Sequence, residues 1–152
     1  MTDFIPSTNP AATPATVAND GWYPDLDVDD FKARTGHGDV FTTVRLDEVM
    51  QAAMIEVNNS IKAWRATQTA ARLSDVPAPQ YGDTSEKVIL YRTAVFARVR
   101  AQLLGTTRDY DSTKSGHARA DTLEDTAETY LQQSAEALAR LTDGARMVVE
   151  LI

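Results

Sequence analysis

Apolar residues recur every three or four positions in three stretches of the chain, the period of a helix with one buried face. In the first stretch Leu46, Met50, Ala53, Met54, Val57, Ile61 and Trp64 form one stripe, with Asn58, Asn59, Lys62 and Arg65 on the opposite side. The spacing predicts a helix that starts near Thr43 or Leu46 and runs to about Ala70. In the second, Val88, Tyr91, Val95, Val99 and Gln102 or Leu103 make the stripe, and Ile89, Phe96 and Leu103 widen it. A face that wide suits burial between two neighbours. Thr84 or Ser85 is the expected N-cap and Gly105 the expected end. In the third, Leu123, Ala127, Tyr130, Leu131, Ser134, Leu138 and Leu141 share a face. Asp121 or Thr122 caps its start, Thr122-Leu123-Glu124-Asp125 is a loose capping box, and Asp143-Gly144 ends it.

The intervening pattern is shorter-ranged. Asp27 is placed to cap a short helix over 28–33, with Asp29 and Asp30 at its positive end and Gly36-His37-Gly38 as its stop. Pro77, Pro79 and the Tyr81-Gly82-Asp83 turn make 72–84 a loop. Residues 106–120 are polar and read as a hinge. Residues 1–20, rich in Pro, Ala, Thr and Asn, bury too little to offset their ordering entropy. They read as a flexible arm, either plainly disordered or ordered only on a neighbouring subunit. Trp22 and Tyr23 then plug a core or an interface. The end, Arg146-Met147-Val148-Val149-Glu150-Leu151-Ile152, is apolar and β-branched, a strand without a partner strand in the predicted elements. Either it adds to a sheet of another chain or it packs over the helices. In the first case Met147, Val149 and Leu151 line one face and Val148, Glu150 and Ile152 the other. The predicted fold is all-α: a small antiparallel bundle of about three long helices and a short N-terminal one. The arm spans 1–20, the helical domain 21–144 and the docking tail 145–152.

Composition narrows the chemistry. The chain has 152 residues, which suits one domain, and 43% hydrophobic content, enough for a modest core. It contains no cysteine, which removes disulfides and thiolate metal sites. No apolar run approaches the length of a membrane span, and no membrane partner is expected. The start, Met1-Thr2-Asp3-Phe4, lacks the basic and apolar regions of a signal peptide. Net charge is −7, and six aspartates with no Lys or Arg fall within residues 1–31, leaving −1 for the rest. That balance argues against a general DNA binder.

Candidate chemistry is sparse. His37 and His117 lack partners at metal-ligand spacing. The run from Asp25 to Asp30 lacks the central Gly and final Glu of a calcium loop and reads as a helix start. There is no Gly-rich phosphate loop and no nucleophile–base pattern. No catalytic residue, cofactor or metal is expected. One cluster stands out: Arg92, Arg98, Arg100, Arg108, Lys114 and Arg119 gather late in the second long helix and in the hinge. It is either a solvated face balanced by Asp109, Asp111 and Asp121, or a surface for subunits, an acidic partner or passing DNA.

The order of several segments carries a resemblance. Leu73-Ser74-Asp75-Val76-Pro77-Ala78 precedes Ser85-Glu86-Lys87-Val88, which opens a helix through Tyr91, Ala94, Val95 and Ala97. Arg108-Asp109-Tyr110-Asp111-Ser112-Thr113 follows, then Ala120-Asp121-Thr122-Leu123-Glu124-Asp125. Upstream stands Trp22-Tyr23-Pro24-Asp25-Leu26-Asp27. Together, over roughly residues 22–152, these resemble the head completion proteins of contractile-tailed phages, the GpL type. No single piece is specific; their order and spacing are.

The resemblance implies a structural adaptor and not an enzyme. Such a protein assembles in the host cytoplasm and works in the neck of the virion. It would form a ring of about twelve copies through head-to-tail contacts that close. Its partners would be the portal protein, neighbouring copies of itself, and a tail terminator or downstream neck protein, with contact to packaged DNA left open. The alternative is a helical DNA-packaging module of the small-terminase kind. A third class is a chaperone-like or regulatory helical protein with no phage context. A packaging module would carry a helix dense in Arg and Lys and bind DNA with salt-dependent affinity.

Overall fold

A computed structural model describes residues 15–37, 39–110 and 116–144, with side chains described outside 107–125. The chain is mostly helical, and the described residues form five α-helices and two small antiparallel sheets. The all-α expectation is therefore corrected. Strand β1 (Thr16–Val17) pairs with β2 (Leu26–Asp27), Val17 opposite Leu26, and both of those side chains are buried. Strand β3 (Gln80–Tyr81) pairs with β4 (Thr84–Ser85) across Gly82, whose φ of 62° suits a residue without Cβ. The expected Tyr81-Gly82-Asp83 turn is present. Two residues on each side are too few to show as an alternating pattern, so its flanking strands were not legible.

Residues 15–20, expected within the arm, belong to the fold. Val17 is 1% exposed, and Val28 N–H donates to Ala15 O at 3.0 Å. A single buried valine in a polar run gives a composition argument nothing to detect. Residues 1–14 lie outside the described residues.

Helix α1 (Val28–Thr35) starts as expected: the Asp27 carboxylate accepts from Asp29 and Asp30 N–H, and the left-handed Gly36 ends it. Helix α2 (Thr43–Ser60) is capped by Thr42. It stops ten residues before the expected end, because Ile61 leaves helical geometry, and a short α3 (Lys62–Ala66) follows. Asn58, Asn59 and Ser60 precede the break. Such side chains compete with the helical backbone, and Ser60 Oγ donates to Val57 O at 2.7 Å. Ile61 stays buried through the break, which is why the apolar stripe continues across it.

Helix α4 (Glu86–Tyr110) runs through Gly105 to Tyr110, past the expected end. Helix α5 (Gly116–Leu141) starts five residues before the expected Asp121 cap. Residues 106–110 and 116–120 of the expected hinge are thus helical; Arg and Ala, which recur there, are good helix formers. The end of α5 matches the expected Asp143-Gly144 stop. Asp143, with φ of 50°, takes the left-handed position, while Gly144 N–H donates to Ala139 O and Asp143 N–H to Arg140 O.

Helix α4 is the central element. It runs antiparallel to α2, since Asn58 meets Tyr91, Glu56 meets Arg98 and Arg45 meets Thr106. It also runs antiparallel to α5, since Lys87 meets Leu141 and Ala94 meets Ser134. Burial on both sides explains the wide apolar face. Phe31 of α1 is fully buried edge-on against Phe96, 5.2 Å between centroids, with Leu46, Met50, Val95 and Val99 nearby in one core.

Candidate interaction surface

The segment that carries Trp22 and Tyr23 is pinned by polar contacts. Asp20 accepts from Trp22 and Tyr23 N–H at 3.0 and 3.1 Å and pairs with Arg65. Burial alone would raise the Asp20 carboxyl. Those N–H groups and the Arg65 guanidinium outweigh it and hold the acid below its ordinary 3.8. Trp22 Nε1 donates to Ala70 O at 3.0 Å, and Arg65 lies over both aromatic rings. Tyr23 is 3% exposed and stacks on Tyr91, so it is a core residue here, while Trp22 is half-buried. Burial pushes the Tyr23 phenol up to about 12.

The expected basic cluster divides. Positions 98 and 100 are two residues apart on one helix, about 200° around its axis. Arg98 turns to α2 and pairs with Glu56 at 2.6 Å. Arg100 turns to α5, its guanidinium 4.2 Å from the Tyr130 ring centre. The side chains of Arg108 and Arg119 fall among those not described. Lys114 lies outside the described residues, as do Met147, Val148, Val149, Glu150, Leu151 and Ile152. The expectation that no other segment supplies a sheet edge is corrected: the described residues hold two short sheets.

What the structure adds is a groove of about 310 Å³ between α1, α4 and α5. Arg34 and Thr35 come from the last turn of α1, Ile89, Arg92, Thr93, Phe96, Ala97 and Arg100 from one face of α4, and Gln133 from α5. Arg34 pairs with Asp30 one turn back, at 2.7 Å. Arg92 is held below its ordinary pKa by burial and then by the Arg34 charge, with Asp30 opposing. His37 is pushed below 6.5 by burial and then by Arg100, although hydrogen bonding at Thr35 opposes this. The cations of α1 and α4 therefore sense one another. Arg34 was not part of the expected cluster. It is distant in sequence and only the docking of α1 through Phe31 brings it near, so no local pattern could have shown it.

A second cleft, about 400 Å³, is lined by Gly21 to Asp25 together with Arg72, Ser74 and Val88. It holds one cation and one carboxylate and concentrates no chemistry. Among the described residues no group of three or more His, Asp or Glu converges where a metal could sit. No described helix is long and apolar enough to cross a membrane.

These features describe a small, mostly helical protein with Tyr23 in its core, Trp22 half-buried beside it, and an arginine-lined groove between α1, α4 and α5. The chain matches the family of phage head completion proteins (GPL) over residues 17–152. It is also similar to the head completion/stabilization protein of Escherichia phage P2, with 30% identity over 146 residues, covering 94% of this chain and 86% of that protein. The chain belongs to the phage head completion protein family, a structural family of the virion. No solved structure matches it.

Proposed function

We propose that this protein assembles as a ring of about twelve copies on the portal vertex of a DNA-filled phage head, stabilises it, and prepares it for the tail. The observation that carries this reading is the family match across 17–152 together with the similarity to the phage P2 protein along most of both chains. The work is binding and geometry. Ring contacts would be heterologous, using different faces of one copy. The exposed side of α2, where Val44 and Ile55 are 71% and 61% exposed, would be one such face. Residues 147–152 would dock on the portal by strand addition, main-chain hydrogen bonds giving affinity and alternate side chains specificity. A tail terminator or downstream neck protein would follow on the other rim.

Native mass spectrometry of the protein alone and mixed with its portal, with electron microscopy of any large species, tests this. A ring, or a portal complex that forms only when residues 146–152 are present, is the expected result. A monomer that ignores portal but shifts with duplex DNA would replace the connector by the packaging module. The division of Arg98 and Arg100 between two sides of α4 does not favour that alternative.

A further inference from the structure

We propose that the groove between α1, α4 and α5 receives an extended acidic segment of a partner protein, its carboxylates taken by Arg92 and Arg100 and an apolar side chain seated between them. Charge is the first argument. The chain has 22 acidic residues against 15 Lys and Arg, yet this groove gathers three arginines. The Asp30 carboxylate is already bonded to Arg34. Among the described residues no carboxylate lies within ion-pair distance of Arg92 or Arg100. The Arg34 charge bears on Arg92, a repulsion that an incoming carboxylate relieves.

Geometry supplies the second argument. Arg92 and Arg100 stand eight residues apart on one helix, about 12 Å along its axis. Phe96 and Ile89 provide an apolar floor on the same face. On an extended chain, residues i, i+2 and i+4 point the same way, and i to i+4 spans about 13 Å. An acid-x-apolar-x-acid segment therefore matches the spacing. Arg100 is braced over the Tyr130 ring, which fixes the direction of its guanidinium. Nucleic acid fits less well: the molecule carries −7, and Arg98 is committed on another face.

The inference rests on reading the chain as a binding component and not on ring formation. The test uses the full chain and a fluorescein-labelled peptide Ser-Glu-Ser-Leu-Ser-Glu-Ser, followed by fluorescence anisotropy. The expected result is saturable binding that weakens with salt. It should fall about tenfold or more in Arg92→Gln and in Arg100→Gln, and be unchanged in Lys62→Gln, an exposed cation on α3. Binding should also raise the His37 pKa read by NMR, since a carboxylate offsets Arg100. The inference is overturned if the peptide does not bind or if the arginine variants bind it equally. It is equally overturned if an isomer with adjacent glutamates binds as well, or if duplex DNA displaces the peptide and binds more tightly. Failure of the ring and portal experiments with peptide binding intact would remove the connector reading alone.

Discussion

Tyr23 and Tyr91 offer a matched pair for testing how the core is held. The rings stack with centroids 4.9 Å apart and planes 14° apart, and both residues are buried, at 3% and 0% exposure. Their hydroxyls differ. Tyr91 OH donates to Asn58 Oδ1 at 2.6 Å and accepts from Asn19 Nδ2 at 2.8 Å. Asn58 Nδ2 closes the triangle on Asn19 Oδ1 at 3.0 Å. This ring of three side chains ties the segment beside β1 to α2 and α4. Tyr23 OH is buried with no hydrogen-bond partner. Removing each hydroxyl with Phe leaves the stacking and apolar contacts in place. In Tyr91→Phe two hydrogen bonds go and Asn58 Oδ1 loses its partner, whereas Asn19 Nδ2 keeps Pro24 O at 3.0 Å. With about 0.5–1.5 kcal/mol per bond, and part of the penalty for one stranded acceptor on a half-buried Asn, the loss is about 1.5–3 kcal/mol. For a chain of this length that lowers Tm by about 3–12 °C. Tyr23→Phe should lie between no change and a gain of about 1 kcal/mol, because it removes an unpaired buried polar group. Urea unfolding followed by circular dichroism reads both, with a common slope required. Equal losses in the two variants would refute the reasoning, since the hydrogen bonds would not be what distinguishes them. In a cycle with Asn58→Ala, the Tyr91 effect should shrink by about 1 kcal/mol.

Four further variants probe the same packing. Lys87, whose side chain is 6% exposed, donates to Leu141 O at 2.6 Å and Asp143 Oδ2 at 2.8 Å, closing the end of α5; Lys87→Met should cost about 1.5–3 kcal/mol in urea unfolding. Asp143→Asn, at a carboxylate 79% exposed, should cost under about 1 kcal/mol, and the reverse order would place the clasp in the ion pair and not the carbonyl. Gly105 is helical with open space where a Cβ would be, so Gly105→Ala should stabilise by about 0.5–1 kcal/mol, whereas destabilisation would mean that α4 ends there. His37 is held below 6.5, so the unfolded chain takes up its proton first. Its contribution to stability is present above pH 6.5 and is lost as pH falls through the folded value. His37→Gln should flatten that part of the acid-side stability curve, and an NMR titration placing His37 at or above 6.5 would contradict the account.

Positions that obey a local rule were legible in the chain. Asp27 caps α1, Gly36 ends it, α2 starts at Thr43, the apolar stripes of α2 and α4 face inward, and on α5 Ser134, Leu138 and Leu141 do so while Leu131 is exposed. Each of these depends on neighbours within a turn or two. Legibility failed where one local signal outweighs another or where a distant residue decides. Gly105 reads as a stop, yet α4 continues; Gly costs a helix only about 1 kcal/mol, less than the rest of a long helix supplies. Ile61 continues a stripe, yet the helix breaks beneath it. The N-terminal strand is visible only through Val17 meeting Leu26, nine residues on.

The same logic bears on the groove. Arg92 and Arg100 were evident in the chain as cations at the edge of an apolar stripe, and Arg98 appeared to belong with them. Helical geometry separates the two neighbours and joins instead Arg34, which arrives through the docking of Phe31 on Phe96. The packing that buries Phe31 and the placement of the third cation are therefore one event. A perturbation of that contact acts on the groove without touching an arginine. Phe31→Leu should lower stability and, if the acidic-segment proposal holds, also weaken peptide binding by displacing Arg34 from its neighbours. Arg34→Gln should leave the core intact and reduce binding alone. Loss of both properties in Phe31→Leu beside loss of only one in Arg34→Gln would show that α1 serves the groove by position, and that the core and the interaction surface share a single element.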